Sequence, residues 1–174
     1  LEADAGLGKT RLAEEVVARV TLDGGAVVAV RAVPADREQA FSGLLGLARG
    51  GLLGAAGVAG AHKAALAGLA AHDAEWADRF AAAVKDTTPW PLGAAFAEGL
   101  RAAAEQQPLM LVLDDAQWLD DDSFLALEAV ARDLVAAPIV LLLAVTPDPQ
   151  PPKLAEMRAR IGRDLKGQTL RLQA

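Results

Sequence analysis

The sequence predicts an α/β domain built on a parallel sheet. Three observations carry this. Apolar strand-like runs alternate with helix-period segments, one run ends abruptly in paired carboxylates, and a glycine-rich turn leads straight into a helix. Such alternation belongs to βαβ units.

In chain order, Leu12, Val16 and Val20 recur at helical spacing after the glycine turn and predict the first helix. Gly24-Gly25 ends it. Ala26 to Val33 is β-branched and apolar on both faces, as a buried parallel strand should be, and Pro34 closes it. Residues 36–85 are rich in Ala, Gly and Leu and read as an insertion of two to four short helices. Each glycine weakens such a helix by up to about 1 kcal/mol. Leu44, Leu45, Leu52, Leu66, Leu69, Trp76 and Phe80 are its candidate anchors, and Trp90 is read as a further core anchor.

Thr88 is the expected N-cap of the next helix, with Pro89 at its first position. Leu92, Phe96, Leu100 and Ala103 line its face, and Pro108 stops it. Leu109 to Asp115 follows as a strand. Phe124, Leu127, Ala131 and Leu134 mark another helix, with Asp120 to Asp122 supplying cap and first-turn charge. That acidic run, Asp120 to Asp122, is otherwise read as a solvated face. Pro138 introduces the strand Ile139 to Val145. Leu154, Met157, Ile161 and Leu165 predict a last helix, and Thr169 to Gln173 a last strand. The strands should form one parallel sheet.

Composition bounds the function. At 174 residues the chain is one domain in length, residues 1–174, and 53% of it is hydrophobic, which excludes disorder. Net charge is −6, so direct binding to nucleic acid or anionic membrane is not expected. With no Cys, disulfides, thiol nucleophiles and Cys-based zinc sites are excluded. The two histidines, His62 and His72, are expected at the surface. No targeting segment or membrane span is visible: the most apolar stretch, Gly50 to Ala61, is broken by glycines and well short of the roughly 18 residues required. A cytoplasmic location is expected.

Two motifs carry chemistry. Ala3-Asp4-Ala5-Gly6-Leu7-Gly8-Lys9-Thr10 matches the phosphate loop G-x-x-x-x-G-K-[ST] (Walker A) at every position except the first. Gly6 and Gly8 let backbone N–H groups of residues 5–11 turn inward around phosphate oxygens, and the following helix aims its positive end at them. Ala5, Gly6, Leu7, Gly8, Lys9, Thr10 and Arg11 are therefore the candidate nucleotide-binding residues. Lys9 would supply a mobile charge to the β- and γ-phosphates, and Thr10 a hydroxyl ligand for Mg²⁺. The second motif, Asp114-Asp115, stands at the carboxyl end of a strand, where open α/β sheets bind ligands (Walker B). Asp114 is suited to hold Mg²⁺, and Asp115 to orient and polarise a water. Lys9 and Asp115 are the candidate catalytic residues. Gln117 is a candidate contact to that water, Trp118 is expected to pack beneath the strand, and Arg31 could approach the site. Lys9 and Thr10 should lie within about 10 Å of Asp114, because one hydrated Mg²⁺ must bridge them.

LEADAGLGKTRLAEEV, PLMLVLDDAQWLDDDSFLALEAVARDL and PIVLLLAVTPDP together resemble the nucleotide-binding domain of AAA-like STAND ATPases, found in large LuxR-type and SARP-type bacterial transcriptional regulators. The resemblance implies a three-layer α/β/α P-loop NTPase fold, with the helical insertion between the second strand and the Walker B strand. It also implies ATP/ADP and Mg²⁺ as cofactors, other domains in the parent chain including a DNA-binding one, and nucleotide-dependent self-association. In that family the loop follows a central strand, so Leu1-Glu2 would be the end of a first strand otherwise missing from this segment, lying between residues 139–145 and 169–173. Members typically carry Gly where Ala3 stands and often Arg near Thr146-Pro147. If position 3 needs a positive φ, Ala costs about 1–2 kcal/mol there. The missing Arg removes a candidate γ-phosphate sensor. The absence of Asn independently excludes the guanine-reading N-K-x-D motif.

The leading expectation is an ATP-binding, slowly hydrolysing switch module of a regulator. One alternative is a non-catalytic nucleotide-binding or interaction scaffold, motivated by Ala3 and Thr146. Another is a small-molecule kinase, against which stand Asp115 and the lack of an Arg-rich acceptor lid.

Overall fold

The computed structural model describes residues 1–148 and 151–173. Helix α1 (Lys9–Leu22) leads to strand β1 (Ala26–Arg31). A helical region follows, comprising α2 (Ser42–Leu47), α3 (Lys63–Ala70), α4 (Ala74–Val84) and α5 (Leu92–Ala104). Strand β2 (Leu109–Asp114), helix α6 (Asp121–Asp133), strand β3 (Ile139–Leu143) and helix α7 (Pro152–Arg160) complete the order. The strands form a parallel sheet in the order β1-β2-β3. The α/β class and parallel pairing agree with the sequence reading.

Strand alternation assigns each residue to a face. Leu109, Leu111 and Leu113 enter the main core with Val28, Leu141 and Leu143, beneath α2, α5 and α6. Met110, Val112, Val27 and Leu142 point the other way and meet α1 through Ala13, Val17 and Val20. The expected α1 seam of Leu12, Val16 and Val20 is therefore turned: Ala13 and Val17 replace Leu12 and Val16, and Val16 remains 37% exposed. Ala13 is small enough to let the helix sit directly on Met110 and Val112.

The glycines of residues 36–85 serve packing as well as weakening helices. A π-type turn, Ala48–Leu52, presses against the edge of β1. A Cβ on Gly50 would lie 2.0 Å from the Ala29 carbonyl oxygen, and one on Gly51 2.4 Å from that of Val27. Only glycine permits this approach, which covers an edge otherwise open to strand pairing. Leu44, Leu52, Leu66, Leu69, Trp76 and Phe80 are buried as anchors, with Leu45 packed at the margin.

Several boundaries differ from expectation. Helix α5 starts at Leu92 with Pro91 at its N-cap, not at Thr88-Pro89. The preceding segment is held by a tertiary bond from the Trp90 N–H to the Ala64 carbonyl, 2.9 Å, instead of by helical ones. Trp90 is a surface residue stacked on His62 at 4.9 Å, so it is no core anchor. His62 and His72 are exposed as expected. Helix α6 buries Phe124, Leu127 and Val130, with Ala131 and Leu134 only half-buried. Helix α7 ends at Arg160, because Gly162 (φ +81°) turns the chain and pairs Ile161 with Leu165. Residues 169–173 form no strand; Arg171 alone bridges Glu2, which also bridges Val145, both in parallel sense. One residue with partners on both sides cannot build a ladder. The Glu2 carboxylate is buried between Arg158 and Arg171. Beside it, a cleft of about 560 Å³ separates β3 from residues 165–170. No helix among the described residues is long and apolar enough to cross a membrane.

Candidate functional site

The carboxyl ends of the three strands and the glycine loop converge. Gly6 (φ +84°) and Gly8 (φ +85°) take the left-handed backbone that turns the loop, and Gly8 caps α1. Ala3 is buried and is not among the residues with positive φ, so it carries no such strain. The anticipated cost at this position does not arise.

Lys9, the first residue of α1, is buried, and its ammonium donates to the carbonyls of Ala3 at 2.8 Å and Asp4 at 3.1 Å. Thr10 follows, and its hydroxyl donates to the Asp114 Oδ2 at 2.8 Å, across 104 residues of sequence. Thr10 and the β2 carboxylate are thus in direct contact, well inside the separation expected of them. Ala5 and Gly6 are exposed on the loop, Leu7 is half-buried, and Arg11 is exposed in an ion pair with Glu15.

Asp115 sits immediately beyond β2 in a left-handed conformation, φ 52°. Asp tolerates this region better than most side chains. The turn it makes, Ala116–Trp118, is stitched to β3 by the Ala116 N–H, which donates to the Ala144 carbonyl at 2.9 Å. Both oxygens of its carboxylate have partners. Arg31, the last residue of β1, donates to Oδ2 from Nε at 2.9 Å, and the Gln117 side chain donates to Oδ1 at 3.3 Å. The Asp115 hydrogen bond, with the charges of Asp115 and Asp114, holds the Arg31 guanidinium above its ordinary range. Arg31 therefore reaches the site, as the sequence allowed.

Gln117 is buried and spans two groups, accepting from the Thr146 N–H at 3.1 Å while donating to Asp115. Trp118 packs at the core margin beneath the Arg37 guanidinium, 5.0 Å from the ring centroid. Sequence reasoning missed Asp120. Far from a solvated face, it is 3% exposed and accepts from the backbone N–H groups of Phe41, Gly43 and Ser123 and from the Ser42 hydroxyl. Its N-cap position was legible; the tertiary bonds to α2 were not. Asp121 and Asp122 are exposed.

Among the described residues no three His, Asp or Glu side chains gather as a self-sufficient metal site. One carboxylate and one hydroxyl, both hard oxygen donors, fit a cation that takes its remaining ligands from phosphates and water. No curated protein and no solved structure matches the chain. A family model described as an AAA ATPase domain matches residues 1–143, most of the chain and all of the glycine loop and the carboxylate pair. The chain belongs to the AAA ATPase domain family.

Proposed function

We propose that this nucleotide-binding domain takes ATP with Mg²⁺ and hydrolyses it slowly, as a switch module of a multidomain bacterial transcriptional regulator in the cytoplasm. The supporting observation is the 2.8 Å hydrogen bond between Thr10 and Asp114, which joins the helix following the glycine loop to the strand-end carboxylate. Thr10 and Asp114 would hold Mg²⁺, which when bound neutralises charge on the β- and γ-phosphates. Backbone N–H groups of residues 5–11 would cradle the phosphates, with Lys9 as the charge inside the loop. Asp115 would orient the attacking water. Arg31 and Gln117 both hold its carboxylate. The unstrained Ala3 argues against a decayed loop and a purely scaffolding role. With a net charge of −6 the domain would leave DNA to another part of the protein. Nucleotide-dependent self-association would be one way to relay its state.

Nucleotide titration with and without Mg²⁺, run beside phosphate release, tests the reading. Asp114→Ala should weaken Mg²⁺-dependent binding. Asp115→Asn should leave binding within about twofold and slow hydrolysis by about 10²–10⁴-fold. Lys9→Ala should impair both, because its charge serves ground and transition states alike. If none of the three alters either quantity, and millimolar Mg-ATP leaves the melting temperature unchanged, the domain is a scaffold.

A further inference from the structure

We propose that Gln117 is a positioning residue that fixes the Asp115 carboxylate against the end of β3 and does not itself touch the attacking water. This rests on the reading of Asp115 as the residue that orients that water.

The argument starts from the amide. The Thr146 backbone N–H can only donate, so the Gln117 atom facing it at 3.1 Å must be the carbonyl oxygen. The opposite edge, which faces Asp115 Oδ1 at 3.3 Å, is therefore the NH₂. The orientation is set by chemistry, with no freedom to flip. Gln117 is 4% exposed, and both ends of its amide are engaged within the protein. A side chain so placed is poorly available to a water in the open site, but well placed to hold another side chain.

Asp115 needs such a hold. It follows the last residue of β2, outside the ladder, with a left-handed backbone that ordinary β geometry does not support. Arg31 grips Oδ2, but the Arg31 side chain is largely exposed. Gln117 grips Oδ1 from a buried turn, and its amide oxygen is tied to Thr146 just beyond β3. Arg37 donates to the Gln117 backbone carbonyl at 3.0 Å and secures the same turn. A shift at the end of β3 would pass through this amide to the carboxylate. A displacement of about 1 Å of an orienting group can cost about 10²-fold in rate.

The test is a double-mutant cycle on the full chain, reading ATP affinity, KM, kcat for phosphate release, and melting temperature. Gln117→Met keeps the volume and removes both hydrogen bonds. Gln117→Glu keeps the acceptor for Thr146 and sets a carboxylate against Asp115. Each should lower kcat about 10–100-fold with KM and affinity within twofold, and the Glu variant should be no better than Met. In an Asp115→Asn background, Gln117→Met should change kcat less than twofold, since there is no longer a base to position. A purely structural role would instead multiply through the cycle and lower affinity, with the Glu variant spared; that result overturns the proposal. So does an unchanged kcat in both Gln117 variants. An unchanged kcat in Asp115→Asn alone would overturn the reading of Asp115 and this inference with it, and the two failures are thereby told apart.

Discussion

The two faces of the sheet are built unequally. On one face, Val28, Leu109, Leu111, Leu113, Leu141 and Leu143 join a single large core under the helical region between β1 and β2 and under α6. On the other, α1 alone brings Ala13, Val17 and Val20 to Met110, Val112, Val27 and Leu142. Ala29 is exposed there, and Val140 is 61% exposed. Residues 26–33 were expected to be buried on both faces, yet β1 buries Val28 in the main core and leaves Ala29 exposed on the α1 side. The glycine loop, Lys9 and Thr10 belong to the thin side, and Asp114 follows the parity of Met110 and Val112 onto it. Stability is concentrated opposite the proposed nucleotide site. Substitutions should therefore separate the two.

The largest effect is expected deep in the thick face. Phe96 is fully buried on α5 in the main core. Phe96→Ala should cost about 3–5 kcal/mol, lost transfer energy plus an unfilled cavity. Chemical denaturation measures this, and a loss below about 1 kcal/mol would mean that the helical region does not share one core with the sheet.

Much of the fold and of the candidate site was legible in sequence, and the exceptions have physical causes. The run from Leu109 to Leu113 announced β2 because each residue obeys the same local preference, and Asp114-Asp115 marked its end. The glycine loop was legible because the phosphate-loop pattern fixes residue types at fixed spacing. What escaped depends on distant partners. Thr88-Pro89 has local capping chemistry, yet Ala64 and His62 hold Trp90 outside any helix, and α5 starts only at Leu92. Asp120 looks like one of three solvated acids until Phe41, Ser42 and Gly43 are brought to it. Residues 169–173 have strand-like alternation, but pairing needs a neighbour longer than Glu2.

A smaller effect is expected at the rim of the thin face. Gly8 has φ +85° with open space where a Cβ would stand. Gly8→Ala therefore meets no clash, and its cost is backbone strain alone, about 1–2 kcal/mol. Because Gly8 caps α1 in the loop itself, nucleotide affinity should fall by more than the melting temperature suggests. Equal stability with unchanged affinity would show that the loop can reach its bound shape without a left-handed residue at 8.

The smallest effect comes from a matched pair that asks whether the thin face is thin in solution. Val28 on β1 is 0% exposed in the main core, whereas Val140 on β3 is 61% exposed beyond the reach of α1. Truncating each to Ala removes the same two methyl groups from the same sheet. At about 0.8 kcal/mol per buried CH₂, plus a cavity term, Val28→Ala should cost about 2 kcal/mol. Val140→Ala removes atoms that mostly face water already and creates no cavity, so its cost should stay under about 0.5 kcal/mol. Intrinsic strand preference favours Val over Ala at both sites and cannot account for the difference. Denaturant midpoints at constant m-value give both numbers directly. A Val140→Ala cost approaching that of Val28→Ala would mean that something covers β3 on the α1 side in solution, and that the two faces are more alike than the packing of α1 implies.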